Sequence, residues 1–373
     1  SGSCASPSGG TPSTWTDVTG TTSIAFKDNP LTNDGVYYVA SSSDPIDGVK
    51  TMLGQTYNES GVFGNASSTI YDGQDALFDF ALYDNSAPIS STFCFRAVKA
   101  DRSLYLAGSN SQGVQLTGAT SSSGVLTYTK VGNTSNWKSF SWQALNATGL
   151  RGDGSIWQWG VAGATNNGLF GNGSTVYPLF QMVQVGSSTD WISINEGRSS
   201  YTGYAIKADG TAWGWGYNGS GQAGVATTTA TTVVTPTQTG AATNWKKIYT
   251  SGDVTHGIKT DGTLWSWGEG SAGQLGTGTV ATTSTPTQVG SATWLQVYPG
   301  LLANSASLGI QTDGTLWAWG RNLNGEYGTG ASSTAITSTP FQVGSDTWKQ
   351  VEVGTLHVTA WKSDGTIWGW GQN

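Results

Sequence analysis

Hydrophobic and polar residues alternate over short stretches through most of the chain, and this alternation favours β-strands over helices. In one stretch, four such runs begin at Pro286, Trp294, Leu308 and Leu316. Asp313-Gly314 joins the last two runs, and Asp-Gly between apolar runs is a strong signal for a tight hairpin turn. We therefore predict a unit of four short antiparallel strands whose first strand is the run at Pro286.

The pattern Asp-Gly-Thr-x-Trp-x-Trp-Gly marks this unit each time it returns along the chain. Its five clear copies, the earliest with Ser in place of Thr, have Asp residues spaced 56, 52, 52 and 51 apart. Two degenerate copies lie upstream, so the predicted units are centred on Asp34, Asp101, Asp153, Asp209, Asp261, Asp313 and Asp364. Such regular self-similarity predicts an array of repeats. We therefore predict one all-β domain over residues 1–373.

The paired tryptophans of these motifs account for ten of the 18 Trp in the chain. The two members of a pair lie two residues apart, so they face the same side of a strand. A sheet with large aromatic side chains on one face must bury that face, which in a radial array means packing against the neighbouring sheet. This favours a core role for the tryptophans over the stacking of sugars.

A second element follows each Trp pair, and it carries a family resemblance. It reads Asn218-Gly-Ser-Gly-Gln-Ala-Gly in one copy and Gly270-Ser-Ala-Gly-Gln-Leu-Gly-Thr-Gly in the next, and each is followed by Pro-x-Gln. This string resembles the regulator of chromosome condensation repeat, specifically over residues 101–373 and more weakly over 1–100. The resemblance implies a seven-bladed β-propeller of four-stranded blades. Its relatives include a chromatin-associated guanine-nucleotide exchange factor, ubiquitin-ligase modules and a secreted inhibitor of β-lactamases, which share a protein-binding face rather than a chemistry.

The two ends of the chain each hold an incomplete repeat. Only nine residues follow Asp364, while Gly10–Trp15 resembles the loop and first strand of a blade that lacks its end. We predict that residues 1–15 complete the last blade, so that pairing of the N- and C-terminal segments closes the ring. Such closure removes an exposed strand edge.

Composition narrows the choice of partners and surroundings. The net charge is −7 and the 16 basic residues are scattered, which argues against nucleic acid as a partner. No apolar run is long enough to predict membrane insertion. Low charge with abundant Gly, Ser, Thr and Trp is typical of an extracellular or virion surface. Cys4 and Cys94 could form one bridge or remain two free thiols, and the start at Ser1 suggests a processed product or an excised domain.

The variable connections between strands predict where binding occurs. About 15 extra residues, Ser41 to Gln55, follow the Asp34 motif, and the loops around 195–203 and 298–305 are the longest of their kind. Both types of connection should leave the sheets at one end, opposite the Asp-Gly turns, and variable loops on a constant framework commonly bind ligands. The candidate binding residues are Asp44, Asp47, Lys50, Met52, Arg198, Tyr201, Leu301 and Leu302.

Catalytic and metal-binding patterns are missing from the sequence, so we predict no enzyme activity, no metal site and no cofactor. The only histidines, His256 and His357, lie in different repeats at different offsets, which favours structural roles. The predicted function is a surface-exposed recognition or structural module of a virion or bacterial surface that binds a protein or a glycan, alone or as part of a larger assembly. The alternative is a secreted inhibitor of an enzyme.

Overall fold

The computed structural model describes the strands before residue 102 and, beyond it, most of the chain. The described ranges there are 102–110, 121–130, 136–142, 146–160, 168–175, 182–195, 201–225, 231–300, 306–353 and 357–371. All regular structure in these ranges is β, which confirms the predicted all-β class. None of the described residues form a helix that could cross a bilayer.

The chain divides into two compact units, Ser1–Trp137 and Lys138–Asn373. The first unit holds a three-stranded sheet in the order β1-β2-β3 and a four-stranded sheet in the order β4-β5-β6-β7. Their strands are β1 (Gly2–Cys4), β2 (Val36–Ala40), β3 (Met52–Thr56), β4 (Leu77–Leu82), β5 (Phe93–Val98), β6 (Leu104–Asn110) and β7 (Ser121–Lys130).

The remaining strands form two four-stranded sheets and one continuous nine-stranded sheet, all antiparallel and in chain order. In the nine-stranded sheet, β19 and β22 each pair first with the preceding strand and then with the following one, so it consists of three successive smaller sheets. The first sheet contains β8 (Trp137–Trp142), β9 (Asn146–Arg151), β10 (Ile156–Gly160) and β11 (Val183–Gln184). The second contains β12 (Trp191–Ile194), β13 (Thr202–Lys207), β14 (Ala212–Tyr217) and β15 (Thr232–Gln238). The third contains β16 (Trp245–Ser251), β17 (Val254–Lys259), β18 (Thr263–Gly268), β19 (Thr283–Tyr298), β20 (Ser307–Gln311), β21 (Thr315–Asn322), β22 (Ser333–Val353), β23 (His357–Lys362) and β24 (Ile367–Gly371).

The predicted order of strands within a unit was wrong by one strand. The run at Pro286 pairs with the preceding Trp-x-Trp strand, through Trp265↔Gln288 and Ser266↔Thr287, and is therefore the last strand of the earlier sheet. The second half of β19 pairs with β20, starting at Trp294↔Gln311, and begins the next sheet. Proline cannot donate a ladder hydrogen bond and is confined to strand edges, which suits a last strand.

The core of the second unit is built from the middle strands of these sheets. Five consecutive residues are buried in each of β9, β13 and β17, so both faces of these strands are covered. Aromatic side chains fill the space around them, including fully buried Trp215, Trp267 and Trp319. Two-sided burial is what a stack of neighbouring sheets requires.

Several predictions for the ends of the chain lie outside the described residues. Gly2–Cys4 pairs with β2, with Ser3 opposite Tyr37, while residues 5–35 and 372–373 are not described. The seven-blade count and the closure of the ring therefore stay predictions. The predicted insertion Ser41–Gln55 needs a correction, because Met52–Thr56 forms β3 and pairs with β2 rather than lying in a loop.

Candidate binding surface

The Asp-Gly-Thr-x-Trp motif is a local hydrogen-bond relay that builds each hairpin turn. In the copy at Asp261, the carboxylate Oδ1 accepts from the Thr263 backbone N–H at 2.9 Å and from its hydroxyl at 2.7 Å. The Thr263 hydroxyl oxygen in turn accepts from the Trp265 indole N–H at 3.0 Å. The same relay occurs at Asp153, Asp209, Asp313 and Asp364. The hydrogen bonds to Thr263 hold the pKa of Asp261 below its usual value, as equivalent bonds do in the other four copies.

In four of the five motifs the second Trp joins its sheet to the preceding repeat. The Trp267 indole N–H donates to the Gln222 carbonyl at 3.1 Å and to the Tyr204 hydroxyl at 2.8 Å. Trp215, Trp319 and Trp370 donate to the corresponding carbonyls of Leu169, Gln274 and Glu326. The prediction that the Trp pairs pack between sheets holds for this second member. The first Trp is only half-buried and packs within its own sheet, as Trp265 does against Trp245.

A buried histidine forms another link between neighbouring sheets. The His256 ring contacts the Ser266 hydroxyl through Nδ1 at 2.6 Å and the Ser307 hydroxyl through Nε2 at 3.1 Å. Ser307 donates its hydroxyl proton to the Gln274 carbonyl, so Nε2 must carry the ring proton and Nδ1 must accept from Ser266. Burial lowers the pKa of His256 to about 3. This geometry confirms the structural role predicted for His256, which is fully buried within β17.

Each sheet has two ends with different chemistry. The Asp-Gly end carries the hairpin turns and the Trp that begins the first strand of each sheet. In one sheet this is Trp191, which pairs with Lys207 next to the turn at Asp209. The opposite end, called the loop end here, carries the loop between the first two strands and the segment after each Trp-x-Trp strand. The backbone bond from Tyr217 N–H to the Tyr201 carbonyl, at 2.8 Å, ties these two connections together. The prediction that they share one end is therefore correct for this sheet, although the strand numbering behind it was wrong.

Two carboxylates lie at the loop end between consecutive repeats. Asp253 precedes β17, and its Oδ1 accepts from the Gln222 amide at 2.7 Å. Glu269 follows β18 and accepts from the Ser271 backbone and the Ser220 hydroxyl. Burial and the nearby Glu269 raise the pKa of Asp253. Burial alone would raise the pKa of Glu269, but its hydrogen bonds outweigh that effect and lower it.

Exposed apolar side chains also lie at the loop end, in three successive repeats. Tyr201 is 43% exposed, Val280 is 52% exposed and Leu323 is 44% exposed. Exposed apolar groups next to satisfied polar groups are typical of protein-binding surfaces. The structure thus gives the loop end a mixed apolar and acidic character.

The structure describes only part of the predicted binding set. Tyr201 lies at the loop end and is exposed, as predicted. Met52 falls at the start of β3, and its side chain is outside the described residues. Asp44, Asp47, Lys50, Arg198, Leu301 and Leu302 are outside the described residues altogether. The sequence interpretation missed Asp253, Glu269, Val280 and Leu323, although each lies in a connection that its own spacing assigns to the loop end.

The described residues contain no group of three or more His, Cys, Asp or Glu side chains that could hold a metal ion. His256 is sealed from solvent together with its serine partners, so a substrate cannot reach that Ser-His contact. The groups at the loop end include carboxylates, hydroxyls and exposed apolar side chains.

Comparison with known proteins identifies the repeat. The family model of the regulator of chromosome condensation (RCC1) repeat matches residues 261–298. A segment of 109 residues is 27% identical to the ultraviolet-B receptor UVR8 of Arabidopsis thaliana, covering 29% of this chain and 25% of that protein. A segment of 128 residues is 30% identical to the E3 ubiquitin-protein ligase HERC2 of Homo sapiens, covering 33% of this chain and 3% of that protein. The matched segments thus span a quarter or less of these relatives.

Solved structures extend the likeness over most of the chain. The structure of yeast RCC1 (Prp20) bound to Kap60 matches with a TM-score of 0.60 at 16% identity, over 75% of this chain and 68% of that one. A second structure, of Prp20p from Saccharomyces cerevisiae and described with its binding to Gsp1p and histones, gives 0.59 at 17% identity, over 75% and 70%. The chain is therefore an all-β protein of the propeller class. Residues 261–298 match the regulator of chromosome condensation repeat, and the resemblance to an RCC1-like propeller drawn from the sequence is confirmed.

Proposed function

We propose that this protein is a non-enzymatic recognition module that binds a protein partner through the loop end. The exposed Tyr201, Val280 and Leu323 carry the proposal, because each places apolar surface at the end where connections vary in length. The fold supports a role in protein interaction, since the yeast relative was solved bound to Kap60. The Ser-His contact at His256 is buried away from solvent, which favours binding over catalysis at that contact.

The acidic pair suggests which partner surface would fit. Asp253 and Glu269 place negative charge at the same end as the three apolar side chains, and the whole chain carries a net charge of −7. Complementary potentials steer association and select partners. The favoured partner surface is therefore apolar at its centre and basic at its rim.

Composition supports an exposed extracellular or virion setting for this module. Only 10% of residues are charged, while Gly, Ser, Thr and Trp are abundant. In that setting the partner is a surface protein of the host or of the same particle. A surface glycan is the competing partner class.

A pair of matched variants tests the proposal by immobilised capture of the partner. The loop-end variant replaces Tyr201, Val280 and Leu323 with Ser. The control replaces three exposed apolar residues at the Asp-Gly end, Ile192, Leu295 and Ile367, with Ser. Capture should fall at least about tenfold for the loop-end variant, since losing a few interface anchors costs over 1 kcal/mol each, and should persist for the control.

Two other outcomes would change the conclusion. Equal capture by both variants, or loss only in the control, would contradict the assignment to the loop end. Capture that is abolished by glycosidase treatment of the partner preparation would favour a glycan. A further variant that replaces residues 41–51 with a two-residue Asn-Gly turn tests the predicted insertion while keeping the paired strands β2 and β3 joined.

A further inference from the structure

A lysine side chain lies between two tryptophans at the Asp-Gly end of three sheets. Each lysine pairs with the Trp that begins the first strand of its sheet: Lys207 with Trp191, Lys259 with Trp245 and Lys362 with Trp348. In the clearest case the Lys259 ammonium lies 3.7 Å from the Trp265 ring centroid and 5.1 Å from that of Trp245. The corresponding distances are 4.6 and 4.9 Å for Lys207, and 4.0 and 5.2 Å for Lys362. A fourth copy places the Arg151 guanidinium 4.2 Å over Trp157.

One sheet keeps the aromatic pair but carries a neutral residue at the lysine position. Gln311 stands across from Trp294, in the register that Lys259 occupies against Trp245. The Trp294 and Trp317 rings lie 6.3 Å apart at 72°, close to the 6.5 Å and 79° of Trp245 and Trp265. The contacts within the described residues place no cation over either ring. The geometry that holds an ammonium elsewhere is thus present without a tethered one.

The motif carboxylate of this repeat also lacks the basic neighbour that it has in the other copies. Asp313 is exposed, and hydrogen bonds from Thr315 keep its pKa low, so it is ionised at neutral pH. In the other four copies a basic neighbour lowers the pKa of the motif Asp further, whereas no such neighbour acts on Asp313. Asp313 is linked through the Thr315 hydroxyl to the Trp317 indole N–H, so an exposed carboxylate lies near this half-buried ring. Trp294 is only 3% exposed, so Trp317 offers the more accessible indole surface of the pair. A carboxylate near an indole face favours an organic cation.

We propose that Trp294, Trp317 and Asp313, called here the Gln311 site, bind the ammonium of a lysine side chain from a partner protein. Lysine is the occupant in three of the four filled copies, and its alkyl stem packs on indole faces in a way that an inorganic cation cannot. Arginine would bind by the same attraction. The site lies at the Asp-Gly end, so it is separate from the loop-end surface proposed above.

Indole proton–nitrogen NMR tests this proposal on the full chain. The probe is the blocked tripeptide acetyl-Gly-Lys-Gly-amide, and the control is the same peptide with an acetylated lysine. The Trp294 and Trp317 signals, assigned with Trp→Phe variants, should shift in a saturable way with the first peptide. The response to the acetylated peptide, or to potassium chloride at equal ionic strength, should be at least about fivefold smaller, because the attraction requires an organic cation.

Two matched variants reproduce the comparison between copies. Gln311→Lys supplies the residue that three other copies carry, so it should fold normally and abolish the peptide response. Lys259→Gln should create a second responsive pair at Trp245 and Trp265. Asp313→Asn, which keeps an acceptor for Thr315, should weaken the wild-type response severalfold.

Three results would overturn the proposal. One is a wild-type Trp317 signal that does not move while Lys259→Gln responds, which would mean that Gln311 itself closes the site. The second is an equal response to both peptides. The third is a response that persists in Gln311→Lys at unchanged melting temperature.

Discussion

At the scale of single residues, the relay explains why Asp, Thr and Trp recur at fixed positions in the repeat. Asp261 supplies a short acceptor that closes the turn, and Thr263 supplies a hydroxyl that donates to Asp261 and accepts from Trp265. The half-buried indole N–H of Trp265 thereby gains its hydrogen-bond partner. Gly262 adopts a φ of +83°, a region that side chains with a Cβ rarely enter. Each position of the motif thus serves the structure of its own turn rather than a catalytic reaction.

The buried His256 predicts an acid-sensitive stability. Its pKa is about 3 in the folded protein, against an ordinary value of 6.5 for an exposed histidine ring. The unfolded state therefore binds more protons between these values, and the stabilisation present above pH 6.5 is lost as pH falls toward 3. Urea unfolding at pH 7, 5 and 4 should show this loss, on the order of a few kcal/mol in total.

His256→Gln provides the control for that titration, because other carboxylates also lose stabilising hydrogen bonds in acid. The variant should be less stable at pH 7, and its difference from wild type should shrink as pH falls. A difference that stays constant from pH 7 to 4 would show that His256 does not titrate in this range.

At the scale of strands and sheets, the two tryptophans of one motif have separate duties. Trp267 spans to the preceding repeat through Gln222 and Tyr204, while Trp265 bonds only within its own turn through Thr263. The Trp-x-Trp spacing places both side chains on one side of the strand. They differ because only the second Trp lies close enough to the preceding repeat to bond to it.

Replacing each Trp by Phe should separate these duties. Trp267→Phe removes the indole donor to the Tyr204 hydroxyl and one of three donors to the Gln222 carbonyl, which still accepts from Tyr204 and Thr255. It also leaves a cavity, so it should lower the free energy of unfolding by roughly 2–4 kcal/mol. Trp265→Phe should cost only about 1 kcal/mol, since its lost bond lies near solvent. Chemical unfolding of both variants measures the difference, and equal losses would contradict the distinction.

At the scale of the whole molecule, the closure of the repeat array stays a prediction. The last described strand, β24, pairs with β23, and its Trp368 is 49% exposed, whereas the equivalent Trp317 is half-buried. A strand from residues 1–15 would cover such an edge, and uncovered edges are unfavourable in β-proteins.

Removal of residues 5–14, which keeps the strand Gly2–Cys4 paired with β2, tests that closure. The melting temperature should fall by several degrees, since a loss of 1 kcal/mol lowers it by about 2–4 °C in a domain of 150–250 residues. Trp15→Ser at full length should shift it in the same direction. If calorimetry finds the wild-type melting temperature in both variants, the N-terminal segment does not complete the last sheet.

The amino-acid sequence determined the all-β class, the repeat and its turns, because the Asp-Gly-Thr-x-Trp relay is formed by residues at most four positions apart. It also placed the variable loops at one end, since alternation of strand direction fixes that relation. Only the tertiary structure decided which sheet the run at Pro286 joins, because both neighbouring strands offer it compatible ladders. Tertiary packing also decided which Trp reaches the preceding repeat, and it brought Asp253 and Glu269 together with Gln222 and Ser220, more than 30 residues away in the chain. Contacts of that length depend on how sheets stack, which local patterns do not encode.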